Sequence, residues 1–180
     1  MSKRVLVLSG SPRKRGNTDV LGNEFIRGAA NAGHETERIF IGDKKVNGCL
    51  GCFACQKNEG LCVQKDDMDD ICTKMVAADV IVLVASVYFY TFNAQMKAVL
   101  DRTIAITGAF RDKTVYLVAA GQAPEEKYFT IMIESFRKYI GCFQNMREGG
   151  IVFGYGVSDA GDIKDNQAMG QAYEMGRNIG

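Results

Sequence analysis

Four of the six cysteines fall within fourteen residues, as Cys49, Cys52, Cys55 and Cys62. Thiolates ligate iron–sulfur clusters and tetrahedral zinc, and the thiolate is also the reactive form of a redox-active cysteine. Two residues separate each of the first three thiols, and Gly48, Gly51 and Gly60 let the backbone wrap, so one short loop can gather its sulfurs around a small inorganic centre. Spacing alone leaves a [4Fe-4S] cluster, free or redox-active thiols, and structural zinc open. Cys72 and Cys142 read as small buried hydrophobes. A second concentration of chemistry is the stretch VLVLSGSPRKRGNT, residues 5–18. Here an apolar run breaks into small, hydroxylated and basic residues just before a helical pattern begins. At such a junction the unpaired N–H groups and the positive end of the helix dipole face any anion in the loop. Ser9, Ser11, Arg13, Asn17 and Thr18 add donors. Neither a dinucleotide fingerprint nor a P-loop fits, because five residues separate Gly10 from Gly16 and Asn17 follows.

No nucleophile elbow, paired carboxylates or serine–histidine–acid set can be assembled, so no catalytic side chain is assigned. The single histidine, His34, follows Gly33 at a turn and reads as exposed and structural, which argues against histidine-based zinc catalysis. With 22 basic against 21 acidic residues, nothing points to nucleic acid or an anionic membrane. The apolar run after Lys3 and Arg4 is about half the length of a signal-peptide core, and none reaches the ~20 residues that span a bilayer. A soluble cytoplasmic protein is expected.

Positioning these groups requires a scaffold, and 180 residues suffice for a single domain with a sizeable core. Apolar runs alternate with amphipathic patterns, the signature of βαβ units. Strands are expected at 5–8, 37–41, 80–84, 114–119 and 151–153. Helices are expected at 17–32, 67–78, 93–106, from Pro124 to Gly141, and at 166–179. Asp66 reads as the cap of the second helix, and the cysteine-rich segment 42–65 as an insertion without periodicity. The fold class is α/β, a three-layer sandwich with a five-stranded parallel sheet of order 2-1-3-4-5 and helices on both faces. A ligand then lies beyond the carboxyl ends of the strands, beside the loops after strands one, three and four.

The loop SGSPRKRGNT resembles the phosphate-binding loop of the flavodoxin-like, NAD(P)H-dependent FMN reductase superfamily. The block SVYFYTFNAQMKAVLDR resembles that superfamily's segment carrying the isoalloxazine contacts, with Ser86 where proline is usual. The cysteines match bacterial ferredoxin spacing in the first three members, and their place between strand two and helix two resembles the iron-sulfur flavoprotein branch, where such a run ligates a [4Fe-4S] cluster. The resemblance implies FMN as cofactor, held by Ser9, Ser11, Arg13, Asn17 and Thr18 at its phosphate and by Ser86, Val87, Tyr88, Phe89, Tyr90 and Gly121 around its ring. It implies an oxidoreductase taking electrons from NAD(P)H or reduced ferredoxin to a small acceptor such as a quinone, flavin or oxygen, in a homodimer or homotetramer. A flavodoxin-like electron carrier without its own substrate and a zinc-stapled nucleotide-binding module are the competing readings.

Overall fold

Strand β1 (Arg4–Ser9) is buried from Val5 onward because both of its faces are covered, and that condition repeats across the sheet. The computed structural model describes residues 1–180. Five parallel strands, β1, β2 (Glu35–Phe40), β3 (Val80–Tyr88), β5 (Thr114–Ala120) and β6 (Arg147–Gly154), lie in the order β2-β1-β3-β5-β6. This is the expected winding. The register sets Ser9 beside Val84, and Ser86 beside Ala120, so the carboxyl ends of β1, β3 and β5 form one edge.

Alternate residues of each strand feed opposite cores. Val5, Val7, Val82, Val84 and Val118 pack against α1 (Asn17–Asn31) and α6 (Ala168–Arg177). On the other face Leu6, Leu8, Ile81, Leu83 and Leu117 meet α3 (Met68–Ala77), α4 (Ala94–Arg102) and α5 (Thr130–Ile140). Helices α1 and α6 approach backbone to backbone. A Cβ at Gly28 would lie 2.0 Å from the Tyr173 carbonyl oxygen, and one at Gly176 would lie 2.1 Å from that of Phe25.

Several expectations need correction. Beyond the five parallel strands there is β4 (Thr91–Phe92), which pairs antiparallel with the end of β3. The segment after β2 holds one turn of helix, α2 (Ala54–Lys57). A short 3-10 turn, Glu126–Tyr128, precedes α5, which begins six residues after Pro124. Strand β6 starts at Arg147 and passes through Gly149 and Gly150, where a bulge faces Val115 and Tyr116. No helix is long and apolar enough to cross a membrane.

Candidate functional site

At the carboxyl edge of the sheet a cavity of about 390 Å³ opens between the loop after β1, the end of β3 and the loop after β5. Its more polar end is built on the start of α1. The first backbone bond of that helix runs from Val20 N–H to the Gly16 carbonyl, so the N–H groups of Asn17, Thr18 and Asp19 have no partner within the chain. Ser11, Arg13, Asn17 and Thr18 all line this end. Gly10 is required behind it: a Cβ there would lie 2.8 Å from that of Met96 on α4. The Asn93 amide, fully buried at the start of α4, donates to the Gly10 carbonyl and ties the loop down.

The structure separates the expected donors into those that face the cavity and those that brace it. Ser9 does not line it; its Oγ donates to Asp19 Oδ1 at 3.1 Å beneath the loop. Asn17 does line it, yet its side chain is committed. Its amide donates to the Asp159 carbonyl at 2.8 Å, and its oxygen accepts from Gly161 N–H at 3.0 Å. Among the basic residues only Arg13 reaches the wall, since Lys14 pairs with Asp43 at 2.7 Å. Asp19, which sequence reasoning passed over, organises the whole turn. Its carboxylate accepts from Ser9, from the backbone of Arg15 at 2.8 Å, and from Arg38. Thr18 and Ser86 hydroxyls meet at 3.1 Å and link the first loop to β3.

Val87, Tyr88, Phe89 and Gly121 line the other end. Tyr90 does not; it lines an adjoining cavity of about 460 Å³, which shares Val87, Phe89, Gly121 and Gln122 with the first. Phe89 and Tyr90 form the two-residue tip of the β3–β4 hairpin, with φ of 47° and 69°. Positive φ at both positions is a type I′ turn, normally given to Asn-Gly, so two aromatic residues are held there under strain. Gly121 serves by absence of bulk, since a Cβ would lie 2.9 Å from the Phe129 ring. Its N–H is bonded to Gly154 and its carbonyl to Val157, so a ring-edge contact from its N–H is not free.

The four clustered cysteines line a separate cavity of about 310 Å³, which shares no wall residue with the first. Cys55 is buried, Cys62 half-buried, and Cys49 and Cys52 exposed. Phe53, Glu59, Gly51 and Gly60 all have left-handed backbone, which coils the segment tightly. The Gly51 N–H points at Cys49 Sγ at 3.4 Å. No three His, Cys, Asp or Glu side chains gather closely enough to hold one metal ion, although all four cysteines lie on the wall of the one cavity. Cys72 is buried as expected, its thiol pushed up to about 12 by burial, whereas Cys142 is exposed, contrary to expectation.

Arg102, at the end of α4, closes the cysteine segment. Its side chain is 1% exposed, and that of Asp66 is 0% exposed. Two bonds of 2.9 and 3.0 Å join them, and a third of 3.0 Å runs from Arg102 to the Asn47 carbonyl. Both ends of the loop thus hang on one guanidinium. Asp66, expected only as a helix cap, does accept Met68 N–H at 3.2 Å, but its main partner is Arg102. Those bonds hold its carboxyl at about 2, below the ordinary 3.8, and raise Arg102, to which the charge of Cys62 also contributes. A carboxylate with a depressed folded pKa stabilises the fold above its unfolded pKa, and that stability disappears as pH falls through the folded value. Between about pH 4 and 2 the chain should therefore lose about 2 kcal/mol that Asp66→Asn does not lose over that window. Urea unfolding of both proteins across that range measures the difference.

Residues 3–127 match the family of NADPH-dependent FMN reductases. An iron-sulfur flavoprotein of Methanocaldococcus jannaschii is 43% identical over 120 residues, 66% of this chain and 62% of that protein. The chain spans about half the length of such curated iron-sulfur flavoproteins, from 52% to 62%. Among solved structures, an NAD(P)H:quinone oxidoreductase from Methanothermobacter marburgensis superposes with a TM-score of 0.77 at 16% identity, covering 100% of both chains. An FMN-dependent NADH-azoreductase from Bacillus anthracis, in complex with FMN, gives 0.70 at 12% identity over 98% of both. At these identities the two structures share the fold.

Proposed function

The chain belongs to the NADPH-dependent FMN reductase family, and from that premise we propose that it is an FMN-dependent oxidoreductase carrying a [4Fe-4S] cluster on its cysteine loop. Electrons come from NAD(P)H, or from reduced ferredoxin, and go to a small acceptor such as a quinone, free flavin or oxygen. The observation that carries this reading is the start of α1. Unpartnered N–H groups at Asn17, Thr18 and Asp19 sit with Ser11 and Arg13 at one end of a cavity whose other end is aromatic. A phosphate tail and a flat ring on one molecule fit that division.

When bound, FMN supplies a ring that accepts hydride and releases electrons, so the chain itself needs no acid–base or nucleophilic set. Its residues bind and orient. Arg13 and the helix start neutralise the phosphate, Thr18 and Ser86 fix the distance between the first loop and β3, and Val87, Tyr88 and Phe89 wall the ring. The four cysteines lining one cavity supply the number and kind of ligands that a [4Fe-4S] cluster takes. Exposed Tyr88, Phe89 and Tyr90 beside the flavin cavity favour a second copy of the chain completing it, in a homodimer or homotetramer.

Anaerobic purification followed by an absorbance spectrum, metal and sulfide analysis, and steady-state NADPH and NADH oxidation with a quinone tests the proposal. One FMN, iron with matching sulfide, and turnover are expected. A colourless protein that ignores added FMN overturns the reading. Flavin without turnover on either nucleotide would make the protein an electron carrier, and zinc in place of iron would remove the cluster.

A further inference from the structure

We propose that Arg102 is a positioning residue for the cluster: its Nε–H is the donor reserved for the Cys62 thiolate, and that bond helps set how readily the cluster accepts an electron. The inference rests on the cluster reading above. The other donor atoms of this guanidinium, Nη1 and Nη2, are given to Asp66 and the Asn47 carbonyl. Nε alone is buried with no partner. An unpaired N–H of a charged group, in a residue only 2% exposed, is costly to leave in a folded protein unless something fills its direction.

Cys62 is the group placed to do so. The cysteine cavity and the neighbouring cavity of about 510 Å³ between α3 and the end of α4 have only Cys62, Arg102 and Ala105 in common, so the thiol and the guanidinium stand together on the partition between them. Arg102 is the only cationic side chain on the cysteine wall. Asp66 offsets its full charge, which leaves the N–H dipole as the specific contribution. A hydrogen bond to a ligating sulfur favours the reduced cluster, since reduction adds one electron to the iron–sulfide core and its thiolates while no bond is broken.

Two variants of the full chain, reconstituted with iron, sulfide and FMN under anaerobic conditions, test the assignment. Arg102→Lys keeps a cation opposite Asp66 but has no nitrogen at the Nε position; Arg102→Met also has none and removes the cation as well. The readout is a dithionite titration of the cluster, one electron per cluster, followed by EPR. Both variants are expected to shift the oxidised-to-reduced ratio at a fixed potential about tenfold toward oxidised, or about 59 mV for a one-electron couple. FMN content reports folding independently, because the flavin cavity shares no wall residue with the cysteine cavity. If Arg102→Met loses its cluster, Arg102→Lys carries the potential measurement. Wild-type and variant clusters of equal potential overturn the inference alone, as does loss of iron from both variants with FMN retained, which makes Arg102 mere framework. A wild-type chain that takes up no iron overturns the cluster reading and the inference together.

Discussion

Asp66→Ala is expected to cost about 3–5 kcal/mol of folding stability, the usual range when one partner of a buried ion pair is removed. The magnitude follows from what stays behind. Arg102 would keep its charge in a site where its side chain is 1% exposed, with only the Asn47 carbonyl to accept from it. The Asn47 backbone N–H, now 3.0 Å from Asp66 Oδ2, would also lose its acceptor. Removing both charges together is different, because no ion is stranded. The double variant Asp66→Leu, Arg102→Met should recover most of the loss. Denaturant midpoints for the three proteins, at one fixed FMN concentration so that ligand linkage is constant, decide the matter. A single variant within 1 kcal/mol of wild type would mean that water reaches the pair.

The second large effect is expected at the seam between α1 and α6. Gly28→Ala should destabilise the chain by about 3 kcal/mol, the upper part of the range for overpacking, and lower the melting temperature by roughly 6–12 °C for a chain of this size. The added methyl would meet main chain, at 2.0 Å from the Tyr173 carbonyl oxygen and 2.9 Å from the Arg177 nitrogen. Neither atom can swing aside like the end of a flexible side chain. Relief requires the helices to part, which would uncover Phe25 and Ala172 from the core they share. Gly176→Ala meets the same seam from the other side, so the double variant should cost less than the sum of the two. Calorimetry on the three proteins tests this.

What could be read from the residues was whatever depends on local pattern. The apolar runs at 5–8, 80–84 and 114–119 announce buried parallel strands, and their winding order follows from strict alternation with helices. The loop at Ser11, Arg13 and Thr18 was legible for the same reason: hydroxyls and a cation directly before a helix start. What escaped notice is set by partners far along the chain. Asp66 looks like an ordinary cap because nothing nearby reveals Arg102, 36 residues away. Ser9 sits in the expected loop, yet its side chain points down to Asp19. Gly149 and Gly150 imitate a turn, and only the ring of Tyr116, 2.3 Å from where a Cβ of Gly149 would stand, explains why a strand runs through them. The stripe Ala168, Ala172, Gly176 at four-residue intervals also went unread, although small residues so spaced on one face let a neighbouring helix come close.

The hairpin tip bears on how this molecule would respond to selection in the laboratory. Asn and Gly at positions 89 and 90 would relax a backbone now bent to positive φ at two aromatic residues. A screen that rewarded heat resistance alone would drift toward that pair. It would do so by stripping rings from the rim of the cavity proposed for the flavin, and the hardiest descendants would be the emptiest.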